Sequence, residues 1–267
     1  VMRENARAAS CQRNLMDVGT AMILFDNAVG HLPGVAEPGE KGNSPLARML
    51  GQLGVRQFGG LSRDRSKARA LRPGPIPEPR VIPGFTCPSD NWVRDRSAVA
   101  PVSYRACSGG DPKGQTGAFP LGGTVSLAQV RDADGAEYTA AFAERLVGNG
   151  QPEPALNNYA VVDNVLIVKR PPPDSWKGDA GSNWSQTGWS STLYNHALEP
   201  NGYPSLVSRD GRSAILSGSS AHTNRIHVLR LDGSLLPVTP TIDPGIWRKL
   251  ATIDDSATPK NTKAIAD

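Results

Sequence analysis

The sequence predicts an α+β fold: a long N-terminal α-helix packed on an antiparallel β-sheet head with long loops. Three observations carry this. Apolar side chains recur at helical spacing through the first thirty residues, and the strand-like runs fall in the remainder. Gly and Pro together supply 51 of 267 residues, nearly a fifth against an average of about 12%, so many positions must be turns and connections. A chain of this length buries a sizeable core, and one large elaborated domain is expected rather than an array.

The apolar positions Cys11, Leu15, Val18, Met22, Phe25 and Val29 are spaced four, three, four, three and four, forming one stripe of an amphipathic helix. Residues 2 to 29 would make a rod of roughly 40 Å, stopped by the Gly30 to Pro33 segment. The first turns (Arg3, Glu4, Asn5, Arg7) are polar, so packing is expected on the C-terminal half, with the first half free to project. The chain opens at Val1 already inside this pattern and without a capping residue, which leads to the expectation of a processed N-terminus. No stretch reaches the roughly 20 apolar residues that cross a bilayer.

Ser44 as N-cap, Pro45 at the first helical position and Leu46, Met49, Leu50 and Leu53 on one face predict a second helix, ending at Gly54 or Gly59. Residues 62–80 carry Arg63, Arg65, Lys67, Arg69, Arg72 and Arg80 and finish Pro-rich, which reads as a solvated linker. Val125 to Val130 alternates as a strand, and Asp134 with Glu137 resembles a capping box opening a helix from Ala136 to Leu146. Tyr159 to Val168 is β-branched and apolar, a strand ended by Pro171 to Pro173. Trp176 to Trp189 reads as a long surface loop pinned by its indoles. Ile226 to Leu231, Asp232-Gly233 and Ser234 to Val238 form a hairpin, the Asp-Gly pair suiting a type I′ turn. Asp243, Pro244 and Trp247 begin a last short helix, and residues after about 255 read as a tail. The expected organisation is a helix at 1–32, a β-rich head at 33–255 and a tail at 256–267.

The net charge of +4 comes from interspersed basic and acidic residues, too weak a field to imply nucleic acid. Cys11, Cys87 and Cys107 have no metal-ligand spacing and form no CxxC pair, so no zinc site is expected. Loop-closure entropy gives roughly 4.5 kcal/mol for pairing Cys11 with Cys87 and roughly 3.3 for Cys87 with Cys107, too close to choose between them.

His196, His222 and His227 accompany Asp232 in the last third, yet His222 and His227 are five apart at or before a strand, where odd separation sends side chains to opposite faces. Neither a zinc-protease helix nor a general-base site is expected there. Ser108-Gly109-Gly110 and Ser217-Gly218-Ser219 lack a nucleophile elbow and read as turns. Counting from Asp132, positions five and twelve are Ala136 and Ala143, which excludes an EF-hand; a calcium site using Asp132, Asp134 and Glu144 is the alternative cofactor reading. Trp176, Trp184 and Trp189, set among Ser, Asn and Gly, are candidates for stacking on sugar rings, as a carbohydrate-binding module would require.

His222 is followed by nine residues and then Asp232-Gly233, inside the phrase SSAHTNRIHVLRLDGSLLPV. This H-x9-D-G arrangement resembles the C-terminal mark of a large pilin-like family typical of planctomycete bacteria, related to type II secretion pseudopilins. Four further stretches resemble the same family in the same order: ARAASCQRNLMDVGTAMILFDNAVGHLP, FTCPSD, VRDADGAEYTAAFAERLVG and YNHALEPN. The resemblance spans almost the whole chain. It implies a pilin-like fold, a hydrophobic helix with a prepilin-type cleavage and methylation segment upstream of Val1, anchorage of the precursor in the inner membrane, an extracytoplasmic location, and self-association into a fibre or pseudopilus without catalysis. It also implies a Cys11–Cys87 disulfide tying helix to head, with Cys107 left free. In this frame His222 reads as a loop hydrogen-bonder, and Asp232 as stabilising its own turn.

Overall fold

The computed structural model describes residues 2–38, 42–54, 80–91 and 100–255. The helix α1 runs Met2–Val29, as the spacing predicts, about 42 Å at 1.5 Å per residue. Its stripe of Cys11, Leu15, Val18, Met22 and Phe25 is buried, joined by Ala21, whereas Val29 is 44% exposed and lies past the end of the packed face.

The strands are β1 (Tyr104–Cys107), β2 (Ala140–Glu144), β3 (Tyr159–Val162), β4 (Trp176–Lys177), β5 (Leu193–Tyr194), β6 (Leu206–Ser208), β7 (Ala214–Ile215), β8 (Ile226–Arg230) and β9 (Leu235–Val238). A five-stranded sheet has the order β5-β1-β2-β8-β9 and a four-stranded sheet the order β4-β3-β6-β7. Pairing is antiparallel except for β1 with β5 and β3 with β6. The α+β fold therefore stands as expected, a long helix with antiparallel-rich sheets. α1 packs on β8, β2 and β9. Gly19 faces β8, where a Cβ would come within 2.9 Å of Leu229 Cδ1. Pro237 is tolerated in β9 because that strand is at the edge.

Several local expectations are corrected. Val125 to Val130 is no strand; α3 spans Leu127–Asp132, opened by a capping box in which Ser126 Oγ accepts from the Gln129 N–H and the Gln129 side chain accepts from the Ser126 N–H. The helix expected at 136–146 is absent, and Asp134 caps nothing. Gly135 turns the chain at φ +95°, and AAFAE becomes β2, buried at all five residues between β1 and β8. Ala and Glu favour helices by propensity, but a site covered on both faces is decided by packing. The strand from Tyr159 stops at Val162, and Ile167 is 75% exposed.

The second helix, α2, is only Pro45–Arg48, after which the chain continues in turns; Ser44 caps it by accepting from Ala47 N–H. The linker expected at 62–80 lies, except for Arg80, outside the described residues, as does the tail from 256. The β8–β9 hairpin forms, but its turn is a three-residue loop. Gly233 alone has positive φ, its N–H donates to Arg230 O, and the Arg230 N–H donates to Ser234 O, the pattern of a glycine bulge rather than a type I′ turn. The last helix, α4, is Pro244–Leu250, capped by Asp243.

Among the described residues no helix is long and apolar enough to cross a membrane. The seating of α1 predicts that Leu15→Ala costs about 2–5 kcal/mol, whereas Leu24→Ala, on the exposed side, changes stability by less than about 0.5. Urea denaturation of the disulfide-linked chain checks this, and equal losses at the two positions would refute the orientation.

Candidate functional site

β2 ends at Glu144, beside β8, because Ala143 pairs with Val228 and the next cross-strand neighbours are Glu144 and His227. The Glu144 side chain is turned under α1 and is 2% exposed. The His227 N–H donates to Glu144 Oε2 at 2.8 Å, and His227 Nδ1 lies 3.2 Å from the same oxygen. Gln12 on α1 lies 2.9 Å from His227 Nε2.

His222, in the loop before β8, lies between two carboxylates. Its Nδ1 is 2.9 Å from Glu4 Oε1 and its Nε2 is 3.2 Å from Glu144 Oε1. Nε2 also lies 3.5 Å from Cys87 Sγ. Carboxylates only accept, so Nδ1 carries the proton shared with Glu4, while Nε2 meets Glu144 Oε1 as a charge contact without an aligned hydrogen bond; the two flanking carboxylates favour the imidazolium. Ser89 Oγ donates to Glu4 Oε1 at 2.7 Å, and Arg7 lies 3.6 Å from Glu4 Oε2.

The electrostatics follow. Burial pushes the Glu144 carboxyl up, but its contacts with His222 and His227 outweigh that and hold it at about 2. Burial pulls His222 down, and the two carboxylates overcome this and raise it. Glu4 is lowered, chiefly by the Ser89 hydroxyl.

The disulfide Cys11–Cys87 is present, with Cα atoms 5.0 Å apart, and Cys107 is free and buried. The thiol of Cys107 is pushed up to about 12 by burial. The disulfide abuts the cluster: the ligand atoms of Cys11, Cys87, Glu144 and His222 all lie within 4.8 Å of one another. A cavity of about 10 Å³ lined by Cys87, Ser103, Glu144 and Ser219 adjoins them, room for one water. Two expectations are thereby corrected. His222 and His227 do not diverge, because His222 precedes the strand and its loop folds back; their rings lie 5.6 Å apart, edge to face. The first half of α1 does not project, since Glu4, Cys11 and Gln12 are all tied to the head.

The remaining candidates lie elsewhere. Glu144 is occupied by the histidines and does not converge with Asp132 and Asp134 among the described residues, so the calcium triad is not assembled. Trp176, Trp184 and Trp189 are buried, and the latter two donate their indole N–H groups to Arg80 O and Gly211 O; their rings form core rather than a sugar-stacking surface. Asp232 Oδ1 accepts from the Ser234 N–H at 2.9 Å, the turn-stabilising role expected of it. His196 stacks on Trp247 at 3.3 Å and makes bonds to Trp247 O and the Tyr194 hydroxyl. Burial lowers it to about 3, so it is a neutral core histidine. Spacing rules singled out Glu144 for the wrong partners and missed Glu4 altogether, because their actual partners lie 83 and 218 positions away.

Residues 1–245 match a family described as protein of unknown function, DUF1559. The chain belongs to that family. Neither the curated proteins nor the solved structures give a match to it. For this DUF1559 chain the cluster is the strongest concentration of buried charge that α1 and the sheet share.

The cluster predicts a bell-shaped pH dependence of stability. A carboxyl lowered in the fold contributes fully above its unfolded value, about 4.5 for Glu144, and the contribution is lost as pH falls toward 2. A raised imidazole contributes fully below about 6.5 and loses it as pH rises through the folded pKa of His222. The urea midpoint should therefore be highest between about pH 4.5 and 6.5. Glu144→Gln should cost about 3–5 kcal/mol there and flatten both limbs; unchanged limbs would show that the cluster does not control them.

Proposed function

We propose that this chain is a non-catalytic, pilin-like structural subunit of an extracytoplasmic fibre or type II secretion-like assembly, built by self-association and anchored as a precursor in the inner membrane. One observation carries the reading: a 28-residue helix laid along an antiparallel-rich sheet, apolar toward the head and still carrying apolar side chains outward. Met16 and Leu24, eight positions apart on the outer side, are 53% and 45% exposed. A rod of this kind offers its outer face to neighbouring rods, as subunits of a helical fibre would use it. The ordered resemblance of five segments to pilin-like proteins supports the same reading.

The reading expects the gene to encode, upstream of Val1, a cleavage site followed by about 20 apolar residues. It also expects the protein in a high-mass extracytoplasmic fraction sheared or extracted from the native cells. Met16→Asp combined with Leu24→Asp should leave the thermal midpoint of the chain unchanged and remove it from that fraction. An ordinary cytosolic start, or undiminished incorporation of the double variant, would overturn the assignment.

A further inference from the structure

We infer that Cys11, Cys87, His222 and Glu144 form a four-ligand site for a thiophilic divalent cation, zinc first, whenever the Cys11–Cys87 bond is reduced. The disulfide and the metal site are then two alternative states of one cluster. All four side chains are buried, and the donor set of two sulfurs, one imidazole nitrogen and one carboxylate oxygen suits tetrahedral zinc.

Two of the ligand-to-ligand distances are already those of a tetrahedral site, and all four ligand atoms lie within 4.8 Å of one another. With metal–sulfur bonds of about 2.3 Å and metal–nitrogen and metal–oxygen bonds of about 2.0–2.1 Å, tetrahedral angles put sulfur about 3.5 Å from nitrogen and nitrogen about 3.3 Å from oxygen. Cys87 Sγ to His222 Nε2 is 3.5 Å, and His222 Nε2 to Glu144 Oε1 is 3.2 Å. The sulfurs must part, from bonding distance to about 3.8 Å.

Two further features belong to metal sites. His222 would ligate through Nε2 while its Nδ1 proton stays on Glu4, itself fixed by Ser89, the carboxylate–histidine–metal arrangement that orients such ligands. On Glu144 the oxygen Oε2 is held by His227 through both its N–H and Nδ1. The other oxygen, Oε1, is buried, meets His222 Nε2 off the direction of a hydrogen bond and receives no hydrogen bond among the described residues, so it is the one directed to a cation.

The chemistry balances. A dithiol reductant transfers two electrons and two protons to the Cys11–Cys87 bond, which breaks to give two thiols while the reductant closes its own disulfide. The cation then forms bonds to both sulfurs, to His222 Nε2 and to Glu144 Oε1, releasing the two thiol protons and the Nε2 proton to solvent.

The test uses the full chain, unfolded and reduced, then refolded without oxygen in the presence of Co²⁺ or Zn²⁺. Cobalt absorption in the thiolate charge-transfer and ligand-field regions reports the donor set, and zinc competition with a chromophoric chelator reports affinity. The expected result is one metal per chain in the reduced protein and less than about a tenth of that in the oxidised one. Cys11→Ser and Cys87→Ser should abolish the thiolate band, and Cys107→Ser should keep it. His222→Ala and Glu144→Gln should weaken binding by more than the roughly 10–100-fold that loss of an outer-shell partner costs. Where the reduced chain stays unfolded without metal, far-ultraviolet dichroism decides: refolding on addition of zinc supports the site, and failure to refold overturns it. Absence of stoichiometric binding by the reduced chain, or binding that survives loss of Cys11 and Cys87, also overturns it.

Discussion

Glu144 stands at the end of the central strand of the larger sheet, and a carboxylate taken out of water there costs several kcal/mol unless charge and N–H groups compensate it. The compensation draws on three distant parts of the chain. His227 comes from the neighbouring strand, His222 from the loop before it, and Glu4 from the first turn of α1 balances the second nitrogen of His222. The polar N-terminal half of α1 is docked because a buried anion needs an imidazolium, and that imidazolium needs a second anion. The apolar stripe seats the remainder of the helix, so its two halves are held by different physics.

Among the described residues, two buried arginines meet the same difficulty without ion pairs. Arg145 is buried and donates to Ser217 O and Ser205 Oγ, with burial pulling its pKa down to about 10. Arg105, also buried, faces Trp189 O and Leu146 O at 3.5 and 3.4 Å. Burial and the nearby Arg145 charge lower it. Carbonyls from long connections do here what carboxylates do around His222, which gives the loop-rich composition a structural purpose. Many irregular segments must pass close to the sheets to solvate these guanidinium groups.

α1 was legible because its signal is local and periodic, and it is read correctly to within a residue. The β8–β9 hairpin and α4 were legible for similar reasons, since Asp-Gly and Asp-Pro fix their turns. AAFAE was not legible: its helix propensity is real, and only the sheet on either side of it makes it a strand. Ser126 with Gln129 carried a capping signal that the alternation of Val125 to Val130 masked. The three tryptophans were legible as anchors of their loop, and polar neighbours made sugar stacking the competing candidate; a large indole in a loop closes the core under it. Of the cluster, the residue types were visible and their meeting was not. His222 and His227 were judged on strand spacing, which does not apply to a residue outside the strand, and no sequence rule links Glu4 or Glu144 to partners so far along the chain.

The disulfide and the charge cluster share one stretch of α1, within residues 4–12, and that placement bears on how a fibre subunit would carry load. Tension along the rod acts first where the helix leaves the head. An apolar stripe resists sliding weakly, because each side chain can exchange one pocket for a neighbouring one. A covalent bond at Cys11 and a directional ion pair at Glu4 cannot be exchanged in that way. Both transfer force to the loop at Cys87 and Ser89 and to β2 through Glu144, the central strand of its sheet. The strongest connections of the helix therefore end in the part of the sheet that is hardest to peel, and with Cys11–Cys87 reduced and no cation bound, the contacts of Glu4 with His222 and of Gln12 with His227 would hold the N-terminal half.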